Sequence, residues 1–301
     1  MPDPEFTTVG YPNPEVPKAF LYSEKLGKEV GADILIATDP DCDRVALEVR
    51  DKNGEYVFLN GNRIGALLSC YIFSQRYVLN NLPENPVLVK SIVTGDLSRV
   101  IAKKYGIETV ETLTGFKNIC GKTNEYDITK EKNYVFGYEE SIGFCYGTFV
   151  RDKDAVGASM MVVEMAAYYK KQGKSLLDVL NDIYEEFGYY NERQISLELE
   201  GIEGQQRIGR MMEDFRENPI KEMGDISLKE IIDFKDGYLD FPKQNCLKYY
   251  LNDGSWYALR PSGTEPKIKL YIYTIGKTEQ ESIDKLDLIE KACREKMNNV
   301  K

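Results

Sequence analysis

The sequence predicts an α/β fold, with layered α/β segments followed by a C-terminal α+β domain. Three observations predict it. Short apolar runs bounded by turn formers alternate with helical patterns through the first two thirds of the chain, as layered α/β structures require. The last third instead mixes alternating strands with two helical stretches. The chain, at 301 residues and 42% hydrophobic, can bury a substantial core in about two or three domains.

Taken in order, Asp33 to Ala37 reads as a buried strand. Val45 to Val49 and Tyr56 to Leu59 flank Asp51-Lys52-Asn53-Gly54, a hairpin signal. A helix starts near Asn62 and runs through Ile64, Leu67, Leu68 and Tyr71, which share one face. Leu82-Pro83-Glu84-Asn85-Pro86 breaks the pattern and closes a first segment, 1–82. Within 83–190, strands are expected at Val87 to Val89, Thr109 to Leu113 and Tyr134 to Phe136. Helices are expected from Leu97 to Tyr105, Ala155 to Lys171 and Ser175 to Phe187. Gly188 to Asn191 marks the second boundary. In 191–301, strands fall at Gln194 to Leu199, Cys246 to Leu251, Trp256 to Leu259 and Ile268 to Tyr273, with helices at Glu203 to Glu217 and Glu279 to Asn298.

The formal net charge of −10 argues against a nucleic-acid partner or an anionic membrane. No apolar run approaches a membrane span, and the first residues lack the basic start and apolar core of a signal peptide, so the reading is cytoplasmic. Six cysteines without CxxC spacing suggest reduced thiols. The chain contains no histidine, which excludes His-based zinc sites, Ser-His-Asp triads and Cys-His dyads.

Asp39-Pro40-Asp41-Cys42-Asp43-Arg44 follows the first strand, at the position where parallel α/β sheets bind ligands. Three alternate carboxylates can converge on one hard cation such as Mg²⁺, and without a counter-charge they would repel one another. An EF-hand is rejected because its glycine and its final glutamate positions hold Arg44 and Arg50. A nucleotide P-loop at Gly115 to Thr123 fails on spacing, leaving Lys117 as a candidate for a ligand phosphate. In Gly137-Tyr138-Glu139-Glu140-Ser141-Ile142-Gly143, Glu139 and Ser141 point the same way in an extended loop and suit adjacent sugar hydroxyls. In Arg151-Asp152-Lys153-Asp154, Asp154 suits a helix cap and Lys153 a proton-transfer group, with Arg151 grouped among the substrate-binding candidates. Arg260-Pro261-Ser262-Gly263-Thr264-Glu265-Pro266-Lys267 combines a guanidinium fork, two hydroxyls and backbone N–H groups into a phosphate cradle, with Lys269 adding charge.

Together these segments resemble the α-D-phosphohexomutase superfamily of phosphoglucomutases and phosphomannomutases, over essentially the whole chain and in the family's order. DPDCDR, GYEES and RPSGTEPK resemble most the phosphoglucomutase branch that includes phosphopentomutase-like members; phosphomannomutases tend towards DGDGDR and GEMS. The resemblance implies phosphohexomutase-type α/β layered domains, one partial and one complete, followed by the C-terminal α+β domain. It also implies that Asp39, Asp41 and Asp43 hold Mg²⁺ beside a phosphoserine, with Arg44 nearby, and that Lys153 is a general acid or base. Glu139 and Ser141 would read sugar hydroxyls in both substrate orientations, while Arg260, Ser262, Gly263 and Thr264 grip the phosphate not being transferred. Gly143 stands where some relatives carry a histidine.

The family's serine lies in a TASHNP-like segment that this sequence does not contain. Thr7 to Pro14 resembles a stretch inside the family's second domain. The expectation is therefore the C-terminal part of a phosphoglucomutase-like enzyme, inactive alone, that interconverts hexose 1-phosphate and 6-phosphate through a bisphosphate. Its expected partners are glucose 1-phosphate, glucose 6-phosphate, the bisphosphate and the N-terminal part of the same enzyme, which would meet strand edges left open in segment 1–82. The alternatives are a non-catalytic phosphosugar-binding module and, more remotely, a Mg²⁺-dependent phosphatase with Asp39 as nucleophile.

Overall fold

A computed structural model describes residues 3–263 and 265–300. The chain divides into two compact units, Met1–Ile183 and Tyr184–Lys301.

The first unit contains α1 (Leu21–Val30), β1 (Ile34–Thr38), β2 (Val45–Arg50), β3 (Tyr56–Leu59), α2 (Gly61–Val78), β4 (Pro86–Ser91), α3 (Leu97–Lys104), β5 (Glu108–Thr112), α4 (Phe116–Thr129), β6 (Asn133–Glu139), β7 (Gly143–Tyr146) and α5 (Ala155–Lys170). Helix α6 (Leu176–Phe187) runs across the division between the units.

Strands β1, β2 and β3 form an antiparallel sheet in that order. This corrects the expectation of a buried strand in a parallel sheet, because β1 lies at an edge and only Leu35 of its five residues is buried. The Asp51 carboxylate shapes the β2–β3 hairpin by accepting from the backbone N–H groups of Asn53 and Glu55, and Gly54 supplies the left-handed residue. Helix α1 packs Gly27 against Tyr56 and Leu35 on one face of the sheet, while the opposite face, through Ile34 and Val49, meets α5. Both helices expose apolar stripes at helical spacing: Tyr22, Leu26 and Val30 on α1, and Val156, Met160 and Val163 on α5.

The second sheet, ordered β5-β4-β6-β7, is parallel except for β7. Val87 and Val89 of β4 pack with Phe116, Ile119 and Cys120 of α4. On the other face, the Tyr138 ring of β6 fills the space left by Gly65 of α2, and its hydroxyl donates to Ser98 of α3. Helix α2 thus lies with the second sheet, so the boundary expected at 82–83 falls inside the first compact unit. A backbone bond from Val45 to the carbonyl of Ile142, 3.0 Å, and a bridge between Arg44 and Gly143 join the two sheets.

The second unit contains β8 (Tyr189–Glu198), α7 (Gly201–Glu217), β9 (Glu222–Met223), β10 (Ile226–Asp233), β11 (Leu247–Leu251), β12 (Trp256–Pro261), β13 (Lys267–Gly276) and α8 (Glu279–Asn299). The order β8-β13-β12-β11-β10-β9 is antiparallel throughout. Alternate residues such as Leu247, Tyr249, Leu259, Leu270 and Ile272 meet Met211 and Phe215 of α7 and Ile289 and Cys293 of α8 in one core. Strand β8 pairs with β13 from Tyr189 onward, and the division between the compact units falls at 183/184, a few residues before the boundary expected at 188–191. Among the described residues, no helix is long and apolar enough to cross a membrane.

Candidate functional site

The acidic loop is the β1–β2 turn. Cys42 donates its N–H to the Asp39 carbonyl and adopts a left-handed φ of 57°, which turns the chain back so that three alternate carboxylates face one point. One oxygen from each of Asp39, Asp41 and Asp43 lies within 4.8 Å of the others. An octahedral Mg²⁺ with oxygen ligands at about 2.0–2.1 Å would hold ligand oxygens about 3 to 4 Å apart, so modest side-chain adjustment makes this donor set fit.

The acids do not stand without a counter-charge, as the sequence reading supposed. Asp39 is 3% exposed; its Oδ1 accepts from the N–H groups of Asp43 and Arg44, and its Oδ2 from Arg44 Nε at 2.7 Å. Burial alone would raise its pKa, but the hydrogen bonds and charge of Arg44 outweigh burial and hold it below the usual carboxylate value. Asp43 Oδ2 meets Lys153 Nζ at 2.8 Å. Burial and the neighbouring Asp39 charge win there, so Asp43 is held above its ordinary value despite Lys153.

Lys153 precedes Asp154, which caps α5 by accepting from the Gly157 N–H. Its ammonium lies between Asp43 and Asp152 and 5.6 Å from the centre of the Phe116 ring. Burial pulls the Lys153 pKa down, yet its two carboxylate partners leave it above the usual lysine value, so it is a proton-bearing group in this state. Gly143 allows the approach: a Cβ there would sit 2.6 Å from Lys153 Cδ. The space a side chain at Gly143 would take is thus occupied by the stem of Lys153.

Glu139 ends β6, is 8% exposed and accepts from the Gly115 N–H at 2.6 Å. That bond brings the β5–α4 turn, with exposed Lys117 in the first turn of α4, beside the Glu139–Ser141 loop. Gly121-Lys122-Thr123 lies inside α4, a further reason against a nucleotide P-loop. Ser141 is half-buried at the hairpin tip. Exposed Arg151 pairs with Asp127 of α4. The first unit therefore brings the acidic loop, Arg44, Lys153 and the Glu139–Ser141 loop together.

Arg260, Ser262, Gly263 and Lys269 belong to the second unit, and Thr264 lies outside the described residues. Arg260 of β12 stands opposite Lys269 of β13 and donates to the Tyr271 hydroxyl at 3.2 Å. Ser262 closes the loop by donating its N–H to the Lys267 carbonyl, and its hydroxyl accepts from the Glu265 N–H. A Cβ at Gly263 would meet nothing within 4 Å, so the surrounding protein does not require a glycine there. Ser262, Gly263 and Glu265 border a cavity of about 320 Å³ that also touches Gly201 and Gln205 of α7.

Three features escaped the sequence reading. The role of Lys153 as a counter-ion to Asp43 depends on a tertiary contact, while Arg44 reaches Asp39 within the same turn. Glu140, adjacent to Glu139, hydrogen-bonds to Ser91 and Thr94, contacts made across 49 and 46 residues; residues 140–142 form a hairpin turn instead of the extended loop expected from the sequence. Ile142 is a β-branched residue at φ 56°, a strained conformation that costs about 1–3 kcal/mol.

Three domain models of one family match the chain: phosphoglucomutase/phosphomannomutase alpha/beta/alpha domain II at residues 1–54, alpha/beta/alpha domain III at 60–187 and the C-terminal domain at 205–287. A phosphoglucomutase of Staphylococcus epidermidis is 40% identical over 282 residues, covering 90% of this chain and 50% of the relative. The chain thus spans about half the length of the curated relatives it matches. Among solved structures, the Paramecium phosphoprotein pp63/parafusin, a phosphoglucomutase in an open form, aligns at TM-score 0.70 and 19% identity over 99% of this chain and 51% of its own. Aspergillus fumigatus N-acetylphosphoglucosamine mutase, in complex with GlcNAc-6P and magnesium, aligns at TM-score 0.51 and 14% identity over 91% and 52%. These structural likenesses concern the fold, a mixed α/β architecture of phosphohexomutase type. With domains II, III and IV of one family matched in order, the chain belongs to the phosphoglucomutase/phosphomannomutase family, the α-D-phosphohexomutase superfamily.

Proposed function

We propose that the chain supplies the metal-, sugar- and phosphate-binding parts of a phosphoglucomutase-type enzyme that interconverts hexose 1-phosphate and hexose 6-phosphate. The observation that carries the reading is the convergence of Asp39, Asp41 and Asp43 beside Lys153, with the Glu139–Ser141 loop tied to the same strand pair through Ile142 and Val45. In the proposed reaction, a phosphoserine on another polypeptide gives its phosphoryl group to the free sugar hydroxyl; the serine oxygen takes a proton from the Lys153 ammonium as its bond to phosphorus breaks, and the neutral Lys153 amine takes up the hydroxyl proton. The resulting bisphosphate then returns its other phosphoryl group to the serine, which leaves the isomeric monophosphate.

Asp39, Asp41 and Asp43 would hold Mg²⁺, which when bound offsets charge on the transferring phosphoryl group. Arg44 orients Asp39 and adds positive charge beside the transfer position. Lys153 carries a proton to the departing oxygen. Glu139 and Ser141 accept from and donate to sugar hydroxyls, with Lys117 and Arg151 at the margin of that site. Arg260, Ser262, Gly263, Thr264 and Lys269 hold the phosphate that is not in transfer. The division into segments 1–82, 83–190 and 191–301 and a cytoplasmic site of action belong to this proposal.

The proposed macromolecular partner is the N-terminal part of the same enzyme. The edge strand β1 and the exposed apolar stripes of α1 and α5 on the two sides of its sheet support such a partner. Calorimetric titration of the chain with glucose 1-phosphate and Mg²⁺ tests the reading: saturable binding that is weakened by Asp41→Asn and by Glu139→Ala is expected, and absence of binding would refute it. Binding with no turnover, even after the N-terminal half of a family member is added, would favour the non-catalytic phosphosugar-binding module.

A further inference from the structure

Glu139 pairs with Gly143 across the β6–β7 hairpin, leaving Glu140, Ser141 and Ile142 as its three-residue tip. Such tips place one residue in the left-handed region, normally a glycine. Here that residue is Ile142, 1% exposed, so surrounding contacts must impose the shape. Two of them act on the backbone. Ile142 accepts from Val45, and Gly61 of α2 packs so closely that a Cβ would lie 2.1 Å from the Glu140 carbonyl oxygen.

The third acts through a side chain. Glu140 Oε2 accepts from the Thr94 hydroxyl at 2.8 Å and from the Ser91 hydroxyl at 3.3 Å, and the Glu140 N–H meets Thr94 Oγ1 at 3.3 Å. Ser91 and Thr94 are fully buried in the turn between β4 and α3. That turn is fixed in its own right. The Lys90 ammonium, fully buried, donates to the Thr94 carbonyl at 2.8 Å and is balanced by Asp96 at 3.1 Å and Glu111 at 3.0 Å. Asn62 of α2 accepts from the Gly95 N–H at 2.8 Å.

We propose that Glu140 is a positioning residue: its carboxylate, anchored on Ser91 and Thr94, clamps the strained hairpin tip so that Glu139 and Ser141 are presented together to the sugar. The inference rests on the reading of Glu139 and Ser141 as hydroxyl-binding residues. The Glu140 carboxylate itself is directed to the β4–α3 turn. The clamp lowers the ordering cost of binding by fixing the tip beforehand.

Two readouts on Glu140→Ala, Glu140→Gln and the Ser91→Ala/Thr94→Val double variant test it. The first is amide hydrogen exchange at residues 140–143, with the β4 and β5 amides reporting that the fold persists. The second is the calorimetric affinity for glucose 1-phosphate with Mg²⁺. Glu140→Ala should speed exchange at the tip and weaken binding by about tenfold or more, the scale of a lost charged hydrogen bond. Glu140→Gln, which keeps an acceptor for the Thr94 hydroxyl, should lie in between. The double variant should reproduce Glu140→Ala, and combining all three changes should add little.

Unchanged tip exchange in Glu140→Ala would overturn the proposal. So would a double variant that binds normally while Glu140→Ala does not, since Glu140 would then contact the ligand itself. If the unmodified chain fails to bind glucose 1-phosphate, the proposed function fails, while the exchange measurement still decides whether Glu140 clamps the tip.

Discussion

Glu48 sits in the central strand β2, in register between Leu35 and Phe58, is 2% exposed, and its Oε2 has no hydrogen-bond partner. Burial, reinforced by the nearby charge of Glu24, pushes its pKa from the ordinary 4.5 up to about 7. Because the folded chain holds this proton more tightly than the unfolded chain, the associated stability is present in full below pH 4.5. It is lost as the pH rises towards 7. At about 1.4 kcal/mol per pH unit, the interval of about 2.5 pH units caps the loss at about 3.5 kcal/mol, and relaxation around the charge brings the expectation to about 1–3 kcal/mol. Glu48→Gln removes the ionisation and nearly keeps the shape. Amide exchange in β2, compared between variant and parent at the same pH, should agree within about 0.5 kcal/mol at pH 4.5 and favour the variant by about 1–3 kcal/mol at pH 8. A pH-independent difference, or a variant less stable at pH 8, would refute the reasoning.

Gly143→Ala places a Cβ 2.6 Å from the Lys153 stem and should pull the ammonium off Asp43. The first unit should lose about 1–2 kcal/mol in urea titrations followed by circular dichroism, within the range for charged hydrogen bonds. Arg260→Ala should weaken glucose 1-phosphate binding by about tenfold or more, read by calorimetry, through loss of a charged fork. Cys42→Gly relieves the left-handed residue in the acidic loop and should raise thermal stability by up to about 1 kcal/mol. Mg²⁺ affinity should be retained in that variant, because all three carboxylates remain.

Much of this architecture was legible because apolar runs and turn chemistry agreed locally. The Asp51–Gly54 hairpin, the Asp154 cap and the parallel strands β4, β5 and β6 all follow from short windows of sequence. Helix α1 was missed because its stripe of Tyr22, Leu26 and Val30 stays exposed while Gly27 makes the close contact, inverting the usual amphipathic signal. Helix α4 was missed because it opens directly after Gly115 and carries Gly121 within it. Strand β10 was missed because the charged Lys229 and Glu230 interrupt its apolar residues. Within the site, the acidic triplet was readable from its spacing alone. Its lysine counter-ion was not, since Lys153 reaches Asp43 across 110 positions and no local pattern encodes that contact.

As proposed, the chain would bind the phosphosugar while a phosphoserine on another polypeptide makes the transfer. The most direct measurement mixes the purified chain with the N-terminal half of a family phosphoglucomutase, adds Mg²⁺ and a hexose bisphosphate activator, and follows conversion of glucose 1-phosphate to glucose 6-phosphate. Turnover is expected only when both halves are present, and its loss when Asp41→Asn is used. Turnover by this chain alone, or none from the mixture under conditions in which both halves bind each other, would contradict the proposal.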